Sequence, residues 1–149
     1  MNIIEFNPEY QYLSSQTILN MIFIPGNPGT IEFYRDFLKM LQTKSSNNFQ
    51  NNYVCVTGIG HYNHHLKTIY DNKDFEHDSY GLEYQINHHI KIIENIIQNR
   101  QNIQIIIIGH SIGCYIAIES IWKSSLILSK TTHLINLMPF ILCDNLPLP

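Results

Sequence analysis

Apolar residues along this chain fall into two arrangements. Some form short unbroken runs bounded by polar or Gly/Pro-rich stretches; others recur three and four residues apart. Thr17–Ile24 is β-branched and apolar and ends at Pro25-Gly26. Residues 53–57, 105–108 and 134–138 repeat that pattern, and 2–6 offers a short edge strand. Such runs predict strands, and Ile105-Ile106-Ile107-Ile108, with no polar break, predicts one covered on both faces. Helical spacing appears in Tyr34, Phe37, Leu38 and Leu41, and again in Ile86, Ile90, Ile93 and Ile97, a helix ending near Asn99-Arg100. The segment after Gly113, up to Trp122, has no Gly or Pro and predicts a packed helix. Residues 43–52 read as a polar surface loop, 58–79 as a His-rich loop, and 123–132 as a connector that extends the preceding helix by about a turn. The tail after Cys143 carries Pro147 and Pro149 and ends regular structure. Strands alternating with helices predict an α/β domain built on a mostly parallel sheet.

The strongest local pattern is Gly109-His110-Ser111-Ile112-Gly113, between the four-isoleucine strand and the following helix. A Gly-x-Ser-x-Gly turn from strand to helix is a nucleophile elbow. The two glycines remove Cβ atoms where strand and helix must approach. The serine hydroxyl is thereby lifted above the carboxyl edge of the sheet. Ser111 is the candidate nucleophile, and the Ile112 N–H is placed to face a developing oxyanion. Pro25-Gly26-Asn27-Pro28-Gly29 also leads from a strand into a helix, so the Asn27 N–H is the candidate second donor. No Gly-Lys-Ser/Thr follows it, which argues against a phosphate cradle. In a parallel sheet, loops 25–29 and 58–79 and the elbow share one rim.

Composition narrows the picture. One domain is expected from 149 residues. Charged residues make up 14%, low against the roughly 25% usual for soluble domains, so Asn, Gln, Ser and Tyr carry much of the surface. Net charge is −3 with Lys and Arg scattered, which excludes a nucleic-acid stripe. Cys55, Cys114 and Cys143 form an odd set, two of them in apolar segments, pointing to reduced thiols and a cytoplasmic setting. The first residues lack the basic and apolar regions of a signal peptide. No apolar run approaches the roughly 18 residues of a membrane span.

The histidines invite sharper readings. His61, His64 and His65, with His77, could form a zinc site, but paired spacing and a carboxylate or thiolate partner are missing, so no metal is expected and the loop reads as solvated. His88 and His89 read as capping or surface residues. His110 is expected to pack beneath the elbow, and Cys114 yields to Ser111 as nucleophile.

Several stretches together resemble the lipid droplet-associated hydrolase family of α/β-hydrolases. They are Phe23-Ile24-Pro25-Gly26-Asn27-Pro28-Gly29 with Phe33-Tyr34 and Phe37-Leu38; Gly60-His61; Tyr80-Gly81-Leu82-Glu83-Tyr84-Gln85-Ile86-Asn87-His88; and Ile108-Gly109-His110-Ser111-Ile112-Gly113. The resemblance runs from about residue 18 to 140. It implies the N-terminal portion of an α/β-hydrolase fold and a serine hydrolase acting on lipid carboxylic esters, sterol esters included. It further implies a lipid droplet surface as partner, no cofactor, and His61 as a pocket residue. Oligomeric state is left open. The resemblance also places the triad acid and histidine, which follow the serine in this fold, beyond the end of this sequence. Of the residues present, His133 precedes the last strand and so lies at the far end of the sheet. Asp144 follows that strand on the correct rim but has no histidine to orient. An isolated chain is therefore expected to be feeble as an enzyme. The alternative is an inactive remnant or partner-binding half-domain, because a half-sheet exposes an edge and an apolar face.

Overall fold

A computed structural model describes residues 3–8, 17–49, 52–64 and 81–140. Five strands form one sheet: β1 (Ile3–Phe6), β2 (Thr17–Ile24), β3 (Asn52–Ile59), β4 (Ile103–His110) and β5 (Thr131–Leu137), in the order β1-β3-β2-β4-β5. β1 runs antiparallel to β3; all other pairings are parallel. Four α-helices connect them: α1 (Arg35–Asn48, entered through a 3₁₀ turn at Ile31–Tyr34), α2 (Leu82–Gln98), α3 (Ile112–Lys123) and α4 (Ser125–Lys130).

Alternation along the strands divides the core. Ile18, Ile22, Ile24, Ile105 and Ile107 face one side with α2, α3 and α4 residues, while Leu19, Met21, Phe23 and Ile108 face the other with Leu38 of α1. The isoleucine run is apolar throughout because β4 has protein on both faces. From β2 the chain crosses to β3 on one side, and β4 leads to β5 on the other. The direction of winding thus reverses between β2 and β4, the place where such sheets open a site at their carboxyl ends.

The structure departs from the sequence expectations in places. α1 continues to Asn48, through residues read as loop. Its polar side chains stay bonded within the helix: Thr43 Oγ1 donates to Lys39 O (3.0 Å) and Asn48 Nδ2 to Lys44 O (2.9 Å), while Ser45 is buried against the Met21 sulfur. β3 runs on to Ile59 because Gly58 lets Leu38 and Ile31 settle on the strand, where a Cβ would fall within 2.7 Å of both. α3 does not run on past Lys123. Ser124 is extended (φ −123°, ψ 110°), and its Oγ accepts the Ile127 N–H at 3.2 Å, capping a separate helix α4. β5 begins at Thr131, so His133 lies inside the strand opposite Ile106, not before it. It remains away from the rim where β4 ends.

Candidate active site

The turn after β4 forces Ser111 into φ 53°, ψ −121°, a conformation an L-residue holds at a cost of about 1–3 kcal/mol. Packing over-determines it. A Cβ on Gly109 would lie 2.5 Å from the Cys114 Cα, and one on Gly113 would lie 2.3 Å from Ile24 O and 2.5 Å from Pro25 O. The first turn of α3 is therefore pressed directly onto the exit of β2. Gly26 continues this contact: a Cβ there would be 2.9 Å from both Ser111 Cβ and His110 Nδ1. Hydrogen bonds hold the elbow from the β5 side as well. Ser111 N donates to Leu137 O (3.0 Å), and Ser111 O accepts from Cys114 N (3.0 Å) and Phe140 N (3.1 Å).

The loops expected at one rim meet there. Asn27 and Ile112 line a single pocket of about 250 Å³ together with His61, His64, Leu82, Gln85 and Ile116. Loop 25–30 is tied to the segment after β3: His61 N donates to Gly29 O (2.9 Å), His64 Nδ1 to Pro28 O, and Thr30 Oγ1 to His64 O (3.3 Å). Gly29 sits at φ 78° directly under the His61 ring, where a Cβ would come within 2.4 Å. Glycine is required there on both counts. The Asn27–Pro28 peptide is cis.

His61 is only 3% exposed, and neither ring nitrogen has a hydrogen-bond partner. Its ring meets His89 and His64 edge-on, with centroids 5.3 and 5.6 Å away. Burial, reinforced by the neighbouring His89, His64 and His88 rings, pushes its pKa down to about 3. His61 is therefore a neutral imidazole, with both ring nitrogens buried behind the pocket wall.

His89 is the clearest correction. Read as a capping or surface residue, it is fully buried, with Nδ1 2.7 Å from Gln85 O and Nε2 3.3 Å from Ile59 O. A neutral ring has one N–H for these two carbonyls, and burial pushes its pKa down to about 4. Gln85, part of the resembling stretch, has a role that the stretch alone does not assign. Its amide accepts from Tyr62 N (2.7 Å) and donates to Tyr62 O (3.3 Å), clamping the loop that carries His61. The signal was helical period: Gln85 and His89 fall on the Ile86–Ile93–Ile97 side of α2. His110 packs under the elbow, its Nδ1 2.9 Å from the Tyr34 hydroxyl.

Among the described residues none hydrogen-bonds the Ser111 hydroxyl, and no three His, Cys, Asp or Glu side chains converge on a metal position. His65, His77, Cys143 and Asp144 lie outside the described residues. Cys55 and Cys114 are buried free thiols, and burial pushes both upward, Cys55 to about 11. A buried protonated thiol is a poor nucleophile, leaving Ser111 as the group presented at the rim. No described helix is long and apolar enough to cross a membrane.

Residues 17–143 match the family model for "Lipid-droplet associated hydrolase". A lipid droplet-associated hydrolase of Dictyostelium discoideum is 32% identical over 129 residues, covering 81% of this chain and 38% of the relative. Its Gallus gallus namesake is 31% identical over 114 residues, covering 72% and 33%. The chain thus spans about a third of these relatives' length. Among solved structures, the peroxisomal alpha-beta-hydrolase Lpx1 of Saccharomyces cerevisiae superposes with a TM-score of 0.67 at 13% identity, over 97% of this chain and 46% of that one. MenH from S. aureus gives 0.56 at 14% identity, over 91% and 41%. These likenesses show the fold.

Proposed function

Since this chain belongs to the lipid-droplet associated hydrolase family, we propose that it carries the nucleophile and oxyanion hole of a carboxylic ester hydrolase acting on lipid esters. Ser111 Oγ attacks the ester carbonyl. The carbonyl oxygen becomes an oxyanion facing the Asn27 and Ile112 N–H groups, aided by the N-terminus of α3. Collapse expels the alcohol and leaves an acyl-Ser111 ester, which water then cleaves to the free acid. Neutral His61 lines the pocket with its buried ring and takes no proton in the reaction.

The observation that carries this reading is the strained Ser111 elbow beside a pocket lined by both Asn27 and Ile112. At about 250 Å³ that pocket is below the roughly 300–1,000 Å³ of typical ligand sites. It suits an acyl head rather than a whole sterol ester. The Ser111 proton ends on the departing alcohol, and among the described residues no side chain is bonded to the Ser111 hydroxyl to relay it. The name shared by the relatives supports a lipid droplet surface as the place of action.

The test is hydrolysis of p-nitrophenyl butyrate by the purified chain, with Ser111→Ala as control. The expected result is slow turnover, lost in the variant. Turnover that survives Ser111→Ala rejects the nucleophile, and fast turnover by the chain alone rejects the missing base. A partner-binding half-domain is the second reading, favoured by the outer edge of β5, which pairs with no strand among the described residues.

A further inference from the structure

Asn27 and Pro28 are exposed at the rim, so their own packing does little to fix the Asn27 N–H. An oxyanion donor works best when it is held in place before the reaction, and here the neighbours hold it. Gly29 N donates to Gly26 O (2.7 Å), closing a tight turn around Asn27 and Pro28. On one flank Gly26 abuts the elbow, with no room for a Cβ beside Ser111 and His110. On the other flank Gly29 O accepts from His61 N (2.9 Å), so a movement of residues 61 and 62 is passed to the turn. Those two residues are held in turn by α2. Gln85 Oε1 accepts from Tyr62 N (2.7 Å), and Gln85 Nε2 donates to Tyr62 O (3.3 Å). One side-chain amide thus bonds both backbone groups of one loop residue, as a neighbouring strand does. Gln85 is only 5% exposed and lies on the buried face of α2 with Ile86, His89 and Ile93. A buried amide is costly unless paired, and this one finds its partners in the loop rather than in its own helix.

We propose that Gln85 is a positioning residue of the oxyanion hole: through Tyr62, His61 and Gly29 it sets where the Asn27 N–H points. Gln85 also lines the pocket, but its amide is engaged by Tyr62, so it acts through the loop. The Tyr62 ring packs on the same end of α2, with centroids 5.0 Å from Tyr84 and 5.4 Å from His88. Those contacts keep the loop on the helix when the amide is lost. The amide adds direction, because two bonds to one residue fix its orientation as well as its distance. This role presupposes the nucleophile and oxyanion reading proposed above.

The test is inactivation of the full chain by diisopropyl fluorophosphate. Ser111 Oγ bonds to phosphorus as the P–F bond breaks, fluoride leaves, the serine proton passes to water, and the phosphoryl oxygen takes the oxyanion position. In Gln85→Leu the limiting rate constant kinact should fall at least about tenfold while KI changes less than about twofold, since a misplacement of about 1 Å can cost ~100-fold. The phosphorus-31 resonance of the adduct should move toward that of the denatured adduct. Gln85→Glu, whose carboxylate still accepts the Tyr62 N–H but donates nothing, should fall between. Glu83→Gln breaks the Lys123 pairs (2.8 and 2.7 Å) at the same end of α2 and should leave kinact and the resonance unchanged. Three results overturn the proposal: an unchanged kinact in Gln85→Leu, a smaller labelled fraction with unchanged kinact and resonance, or equal slowing in Glu83→Gln. No adduct on Ser111 in the unsubstituted chain overturns the nucleophile reading and this role together. An adduct there with kinact unmoved in Gln85→Leu overturns this role alone.

Discussion

Lowering the pH from 7 to 5 should destabilise this chain by an amount set by two buried rings. In the unfolded chain a histidine titrates near 6.5. In the fold, burial holds His61 at about 3 and His89 at about 4. Both folded values are depressed, so between those values and 6.5 the unfolded chain binds protons that the folded chain refuses. Stability is therefore fully present above 6.5 and falls as pH falls. Integrating from pH 7 to 5 gives about 2 kcal/mol for His61 and nearly the same for His89. A loss of about 4 kcal/mol is a large part of the ~5–15 kcal/mol of an ordinary domain. The window stays above the main titration of carboxylates, which keeps acid residues from dominating. Urea unfolding at pH 7, 6 and 5, followed by far-ultraviolet circular dichroism, measures it. His61→Phe keeps a ring over Gly29 and should remove about half the dependence. A stability that is flat between pH 7 and 5, or a dependence untouched by His61→Phe, would refute the buried neutral pair.

Two further outcomes test the elbow. Gly113→Ala places a methyl against the Ile24 and Pro25 carbonyls, backbone atoms that cannot rotate away. A loss of about 3 kcal/mol, the upper part of the overpacking range, is expected in urea unfolding, and a loss below about 0.5 kcal/mol would mean that α3 is not pressed on β2. Ser111→Gly removes the cost of holding a side chain at φ 53°. It should raise stability by about 1 kcal/mol while abolishing ester hydrolysis, and a drop in stability would show that the serine hydroxyl is structural.

Much of this architecture was legible because local patterns and the global fold agree. Thr17–Ile24 is legible to the residue, since it is largely apolar and closed by Pro25-Gly26. Gly109-His110-Ser111-Ile112-Gly113 announces its own backbone strain, and the strand–helix alternation places Asn27 and Ile112 on one rim, where both line the same pocket. Fold and sequence pattern part where polar residues are buried or helical. The Ser- and Asn-rich end of α1 stays helical by bonding its own carbonyls, and Ser124 breaks a run that composition left continuous. The polarity of His89 likewise points outward, yet the ring is buried. A polar ring can be buried when carbonyls such as Gln85 O and Ile59 O await it, and only the three-dimensional packing displays those acceptors. No base was found for Ser111 because none of the described residues reaches it.

The central claim is that Ser111 is the nucleophile of an oxyanion-competent elbow. Its most direct measurement is mass-spectrometric mapping of the adduct left by a fluorophosphonate, whose phosphoryl oxygen occupies the oxyanion position. A single adduct on Ser111 is expected, forming slowly because no described residue is bonded to its hydroxyl, abolished in Ser111→Ala and weakened in Gly26→Ala, whose added methyl crowds the elbow. An adduct on any other residue, or labelling that persists in Ser111→Ala, would contradict it.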